Sequence, residues 1–274
     1  MLDPIHIRRF YLNGFQETEV LKGWPGLWRK SFRARFEGRQ FLKLNRFRPR
    51  LGFRSLKRLC IHLAPLHLYM SVLDWLMPER VGEKEKANHA YPIGGEYVID
   101  IDSYLFWRPH YHHIDRDGVC VGCLRVSKEA TLRLLEKIDE NYSDLHVVFS
   151  GKRGFHIHVL DFEVGDWTHY NEKDPIKSHE VARFIYTKHL KAVCGGFDKY
   201  HFILSSDPMR VVTFPGSLNA STGLICTHLG NRKEFENTPI SDILSKSRAL
   251  KHFYNLDFEA MHYAHPEPMG GDDL

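Results

Sequence analysis

Long apolar runs are missing from this chain. None approaches the ~20 residues that a membrane-spanning helix needs, and the N-terminal stretch lacks the uninterrupted apolar core of a secretory signal. These absences lead to the expectation of a cytoplasmic protein with no membrane segment. Cysteine is scarce: five in 274 residues, Cys60, Cys120, Cys123, Cys194 and Cys226. An odd, scattered set is a poor disulfide framework, and only Cys120 and Cys123 are close neighbours. Cys60, Cys194 and Cys226 sit in apolar surroundings and fit the role of small buried hydrophobes. Internal repeats, low-complexity tracts and long linkers are also absent. A chain of this length can bury one large core or two modest ones without disulfide or metal staples.

What is present is unevenly charged. Residues 29–58 hold twelve Lys and Arg against one acid, Glu37, a local +11; the net charge is +4, so the remainder carries −7. Phe32, Phe36, Phe41, Phe47 and Phe53 are interleaved with these cations. A solvated charge run rarely carries so many aromatics, so the segment is expected to fold with phenylalanines inward and cations outward. Such a face binds phosphate backbones.

Periodicity divides the chain into mixed elements. Residues 1–28 suggest a helix and a loop. Residues 56–75 carry Leu56, Leu59, Leu63, Leu66, Tyr69, Met70 and Leu73 at helical spacing and predict a helix interrupted at Pro65. Residues 82–93 are polar and predict a loop, and 96–101 predict a strand. Ser127 is a candidate N-cap for a helix running to about Tyr142. Residues 145–150 and 155–160 predict paired strands around Gly151 and Gly154. A helix over 178–193 ends at Gly195-Gly196, and further strands are predicted over 211–214 and 224–228. Helices mixed with strands that are adjacent in sequence indicate an α+β or mixed α/β domain.

Four constellations carry chemistry. In Tyr97-Val98-Ile99-Asp100-Ile101-Asp102, alternate side chains share a strand face, so two carboxylates lie side by side. Such a pair repels unless a cation neutralises it, and hard oxygen ligands suit Mg²⁺ or Mn²⁺. In Ser150-Gly151-Lys152-Arg153-Gly154-Phe155-His156-Ile157-His158, two glycines permit a tight turn with exposed amides. The hydroxyl, the cations and His156, the histidine nearest the turn, surround it. Asp207 precedes Arg210 and the run Phe214-Pro215-Gly216-Ser217-Leu218-Asn219, and is a candidate third carboxylate for two-metal phosphoryl transfer. Finally, His110-x2-His113-x6-Cys120-x2-Cys123 offers the nitrogen and sulfur ligands of tetrahedral zinc, and His112 could replace either histidine. Four protein ligands would close that site, making it structural.

Taken in order, these motifs resemble the archaeo-eukaryotic primase superfamily, most closely the catalytic small subunit of DNA primases. Its members carry a hydrophobic-Asp-hydrophobic-Asp strand, matched by Asp100 and Asp102. They carry a Ser-Gly-basic-basic-Gly-x-His hairpin, matched by Ser150 through His156. A third Asp before a Pro-Gly-Ser-Leu turn is matched by Asp207 and residues 214–218. Upstream, residues 33–53 and Pro65-Leu66-His67-Leu68-Tyr69-Met70-Ser71 resemble the family's basic half and its Pro-x-His-x-Tyr-x-Ser pattern, so the likeness spans roughly 30–230. Asn219 stands where many relatives have histidine, and Thr213 where archaeal members are usually basic.

The resemblance implies a single catalytic domain over 1–274 with an RRM-like sheet and a zinc-knuckle insertion at about 103–125. Residues 237–274 match nothing and form a tail of unknown role. It further implies a template-directed nucleotidyl transferase that starts chains on single-stranded DNA, nucleoid-associated. Asp100, Asp102 and Asp207 would hold Mg²⁺ or Mn²⁺. Ser150, Gly151, Lys152, Arg153, His156, Arg210, Ser217 and Asn219 would bind an NTP or dNTP. Template, primer, and a primase large subunit or other replication proteins are the implied partners. Two rivals remain: a zinc-containing nucleic-acid binder without catalysis, and a rolling-circle nuclease using His156-Ile157-His158 with Tyr186 as nucleophile.

Overall fold

A computed structural model describes residues 3–16, 23–36, 41–82, 89–102, 118–138, 142–193, 202–204 and 206–248. The chain begins with α1 (Pro4–Asn13), β1 (Phe32–Arg35), β2 (Leu42–Lys43), α2 (Phe53–Leu63), β3 (His67–Ser71), β4 (Leu73–Trp75) and β5 (Pro92–Gly95). It continues with β6 (Tyr97–Asp102), α3 (Val121–Ile138), β7 (Leu145–Phe149), β8 (Gly154–Val159), α4 (Pro175–Val193) and β9 (Phe202–Leu204). β10 (Val211–Thr213), β11 (Thr227–His228), α5 (Arg232–Asn237) and α6 (Ile240–Ser247) follow.

The N-terminal half is built on an antiparallel sheet in the order β10-β3-β1-β2. Pro4 opens α1, and the Asp3 carboxylate accepts from the Ile5 amide at 2.7 Å, satisfying an orphan donor of the first turn. α1 packs on α2, and together with the sheet they enclose an aromatic core of Phe10, Tyr11, Phe15, Phe32, Phe53, Trp75 and Phe214. Phe15 meets Phe53 at 4.9 Å between ring centres, and Phe32 meets Phe214 edge-on at 5.4 Å. Burial of each such ring is worth roughly 1.5–3 kcal/mol.

The second sheet has the order β11-β7-β8-β6-β9 and is antiparallel throughout. α3 connects β6 to β7 and α4 connects β8 to β9, so four of its strands and two helices form a split β-α-β repeat. This is the RRM-like connectivity that the resemblance implies. β8 is buried along its whole length, as a central strand covered on both faces should be. Beneath it lies a second core of Tyr97, Phe149, Phe155, Ile157, Tyr186 and Phe235.

Several expectations need correction. The predicted helix over 56–75 ends at Leu63. Ala64 takes the left-handed conformation (φ 51°) and its amide caps Cys60 O at 2.8 Å; Pro65 then prevents continuation. Tyr69 and Met70 of the stripe belong to β3 and Leu73 to β4, with Leu66 just before β3. Ser127 caps nothing: it is fully buried inside α3, which starts six residues earlier at Val121. The strand predicted over 224–228 shrinks to Thr227–His228, and β5 begins at Pro92 within the expected loop. Part of the expected tail is core, because α6 buries Ile243 and Leu244. Of the basic segment's phenylalanines, Phe32 and Phe53 are buried but Phe41 and Phe47 are exposed at 53% and 56%. His110, His112, His113, Cys194 and residues 249–274 lie outside the described residues.

Candidate active site

Close pairing of β6 with β8 assembles the site. Asp100 lies opposite His156 and Asp102 opposite Gly154. Glycine is required at 154, since a Cβ there would stand 1.8 Å from the Ile101 carbonyl oxygen. At the turn, Gly151 has φ +80°, a conformation that disfavours a side chain, and a Cβ would come within 2.9 Å of Asn219. The Ser150 amide donates to Gly154 O at 3.0 Å, and the Gly154 amide donates to Ser150 Oγ at 3.3 Å. Ser150 thereby keeps its hydroxyl proton for another acceptor.

Cations frame the two carboxylates. Arg210 donates to Asp100 Oδ2 at 3.1 Å, and Arg153 Nε lies 3.5 Å from Asp102 Oδ1. Both aspartates remain about one-fifth exposed, open enough to reach a ligand. His156 Nε2 stands 3.5 Å from Asp100 Oδ1. Burial pushes the His156 imidazole down to about 4, against the pull of Asp100, so the ring is neutral at pH 7. Its Nδ1 has no hydrogen-bond partner among the described residues. Burial, with Arg153 beside it, also lowers the Lys152 ammonium, and Asp102 partly restores it.

The turn after β10 braces this hairpin. Asn219 Nδ2 donates to Ser150 O at 2.9 Å, its Oδ1 accepts from the Ser221 amide and hydroxyl, and Thr222 Oγ1 donates to Gly151 O at 2.6 Å. Asn219 is therefore a strut whose amide is engaged on both sides. Ser217 is fully buried and its hydroxyl donates to Leu68 O at 3.3 Å. A residue given no role from sequence, His67, is electrostatically coupled to His156. His67 bonds Thr213 Oγ1 at 2.9 Å and stacks on Tyr69 with centroids 4.2 Å apart. Burial, then Arg35 and His156, lower its pKa to about 3. The Pro-x-His-x-Tyr-x-Ser pattern was the available signal for it.

Asp207 occupies an exposed Asp-Pro turn, its Oδ1 accepting from the Met209 amide at 2.8 Å. Two carboxylates on one strand face, partly open and flanked by cations, are the donor set of a hard cation. Among the described residues, however, no three His, Cys, Asp or Glu side chains come close enough together to hold a metal ion. Cys120 and Cys123 are not disulfide-bonded and stand at the start of α3, where the Cys123 amide donates to Cys120 Sγ at 3.4 Å. The histidines expected to join them fall outside the described residues.

Behind the site runs a buried ionic network that no sequence pattern announces. Glu96, 1% exposed, accepts from Trp24 Nε1 at 3.1 Å, His158 Nδ1 at 2.7 Å and Lys30 Nζ at 3.2 Å, and Lys30 also meets Asp74 at 3.1 Å. Burial alone would raise the Glu96 carboxyl, but Lys30 and His158 hold it down to about 2. Arg183 of α4, buried, donates to Glu96 O at 2.5 Å. These partners are distant in sequence, so local motifs could not reveal them. The network also removes the nuclease rival's geometry: His158 is committed to Glu96, and Tyr186 is 1% exposed within a cage of Tyr97, Tyr142 and Trp167.

No family model matches the chain. A DNA primase small subunit from Pyrobaculum islandicum is 26% identical over 245 residues, covering 75% of this chain and 74% of that protein. Its counterpart from Pyrobaculum calidifontis is 28% identical over 212 residues, covering 65% and 64%. Among solved structures, the polymerase domain from Mycobacterium tuberculosis Ligase D, in complex with DNA, has the same fold. The TM-score is 0.51 at 13% identity, over 91% of this chain and 88% of that one. Over most of its length this chain is thus similar in sequence to archaeal DNA primase small subunits, and it shares the fold of that polymerase domain.

Proposed function

We propose that the chain is a template-directed nucleotidyl transferase that synthesises primers on single-stranded DNA and extends them. The observation that carries this reading is the pairing of β6 with β8, which sets Asp100 and Asp102 on one face beside His156, Arg153 and Arg210.

In this reading Asp100 and Asp102 would hold Mg²⁺ or Mn²⁺, substrate phosphates would complete the coordination, and Asp207, between β9 and β10, would be drawn in as the third carboxylate when ions and substrate bind. When bound, the ions supply charge neutralisation at the attacking and leaving oxygens. The protein's own part is positioning, which is most of phosphoryl-transfer catalysis. Lys152 and Arg153 draw the incoming triphosphate to the hairpin, where the Ser150 hydroxyl and the amides around Gly151 donate to its oxygens. Arg210 neutralises Asp100, and its guanidinium would pair with the triphosphate oxygens. A neutral His156 offers an uncharged hydrogen bond in a dry part of the site. Asn219 and Thr222 keep the hairpin in register.

The basic face of residues 29–58 would carry template and primer, chiefly through phosphates. A structural zinc would be held by Cys120, Cys123 and two of His110, His112 and His113, consistent with a cysteine pair at a helix start whose amide donates to sulfur. A large primase subunit or other replication proteins are the expected partners, and the nucleoid the expected address. The test is nucleotide incorporation on single-stranded DNA: Asp100→Ala should abolish it while the circular-dichroism spectrum and melting temperature stay near wild type. Retained incorporation in that variant would refute the reading.

A further inference from the structure

The exposed aromatics of the basic segment are not distributed at random. Trp28, 37% exposed, has the Arg29 guanidinium 4.7 Å and the Arg50 guanidinium 5.4 Å from its ring centre. Arg50 also donates to Leu76 O at 3.4 Å, drawing exposed Leu76 beside the same group. Phe47, 56% exposed, and exposed Arg48 lie on the turn that leads to Arg50. That turn is fixed from inside. Asn45 is 3% exposed; its Oδ1 accepts from the Phe32 amide at 2.7 Å, and its Nδ2 donates to Lys30 O at 3.3 Å and Pro49 O at 3.0 Å. A buried amide with three backbone bonds thus holds two large aromatics and three arginines on a rigid surface. From position 41 to 58 the sequence contains no acidic residue.

The patch connects to the carboxylates by a short path. The Ser71 amide donates to Ser31 O at 2.9 Å, the Val72 amide to Arg210 O at 3.2 Å, and the Arg210 guanidinium holds Asp100.

We propose that Trp28 and Phe47, flanked by Arg29, Arg48 and Arg50, form a stacking platform for unpaired bases of single-stranded DNA, distinct from phosphate contacts along the rest of the basic face. This rests on the reading of the chain as a DNA-templated enzyme and says which form of DNA this surface selects. Guanidinium groups alone would hold duplex and single strand alike through phosphates. Exposed rings add a term only splayed bases can use, because paired bases are stacked on one another. An acidic protein segment would match the arginines, but has no need of exposed aromatic rings among them.

The test is fluorescence anisotropy with labelled oligo-dT and with a blunt duplex of equal length, at one fixed salt concentration. Trp28→Ala and Phe47→Ala should each weaken oligo-dT binding about tenfold and leave duplex binding unchanged, whereas Trp28→Phe should bind as wild type. Melting curves of each variant establish that the fold persists. Equal losses on both DNAs, or none on oligo-dT, would overturn the proposal. So would displacement of oligo-dT by poly-glutamate from wild type with no dependence on Trp28. Incorporation is measured separately: if wild type adds no nucleotide, the enzymatic reading fails, while the anisotropy series still decides whether the platform exists.

Discussion

Gly154 shows how one atom governs the site. It sits across the ladder from Asp102, and its missing side chain lets β8 approach the Ile101 carbonyl. Gly154→Ala forces the strands apart where the carboxylates must be held, and should cost about 3 kcal/mol, read as a fall in the urea midpoint with reduced incorporation. An unchanged midpoint would mean the ladder has slack that the geometry denies. At this scale, much of the site was legible. The Asp pair lies within one short run, and the glycine turn and His156 within another, so local pattern carries each. Residue type did not reveal orientation. Ser217 and Asn219 lie in a matching motif, yet one faces the core and the other braces the hairpin.

At the scale of elements, the two sheets are joined by Glu96, which takes donors from Trp24 and Lys30 before β1 and from His158 on β8. A buried ion network seldom adds stability over an apolar equivalent, but removing one partner strands the others. Glu96→Gln keeps the shape and deletes the charge facing Lys30 and His158. The expected loss is about 3 kcal/mol, measured by chemical denaturation; a loss below ~1 kcal/mol would show that Asp74 alone satisfies Lys30. Sequence reasoning located most helices and strands of the second sheet because β6, β7 and β8 are short apolar runs bounded by glycine or polar turns. It mistook 64–75 for helix because Leu66, Tyr69, Met70 and Leu73 also fit a helical stripe. The deciding event, a left-handed Ala64 before Pro65, is a conformation and not a composition.

For the whole molecule, no helix among the described residues is long and apolar enough to cross a membrane. The acid response follows from its buried histidines. His67, His156 and His179 are held neutral, chiefly by burial, with pKa values of about 3, 4 and 3. An unfolded chain binds protons at these positions below ~6.5, and the folded chain refuses them until near pH 4. Their stabilising effect is complete above that range and shrinks as pH falls through it. Glu96 adds a lower window: its carboxyl, held at about 2, gives stability that is lost as pH drops from its ordinary value of 4.5. Calorimetric melting temperature should therefore be level above pH 7 and fall steadily from pH 6.5 downward. A flat profile between pH 6.5 and 4 would contradict the neutral, buried state of these rings.

The account rests on the Asp100–Asp102 face, and the most direct measurement is primer synthesis by the full chain on single-stranded DNA. Labelled ribo- and deoxyribonucleotides would be compared with Mg²⁺ and Mn²⁺, alongside Asp100→Ala and a preformed primer–template. Metal-dependent products from wild type, and none from a variant that melts within a few degrees of it, are the predicted result. Wild-type rates from Asp100→Ala, or no incorporation by wild type even on the preformed primer–template, would contradict it.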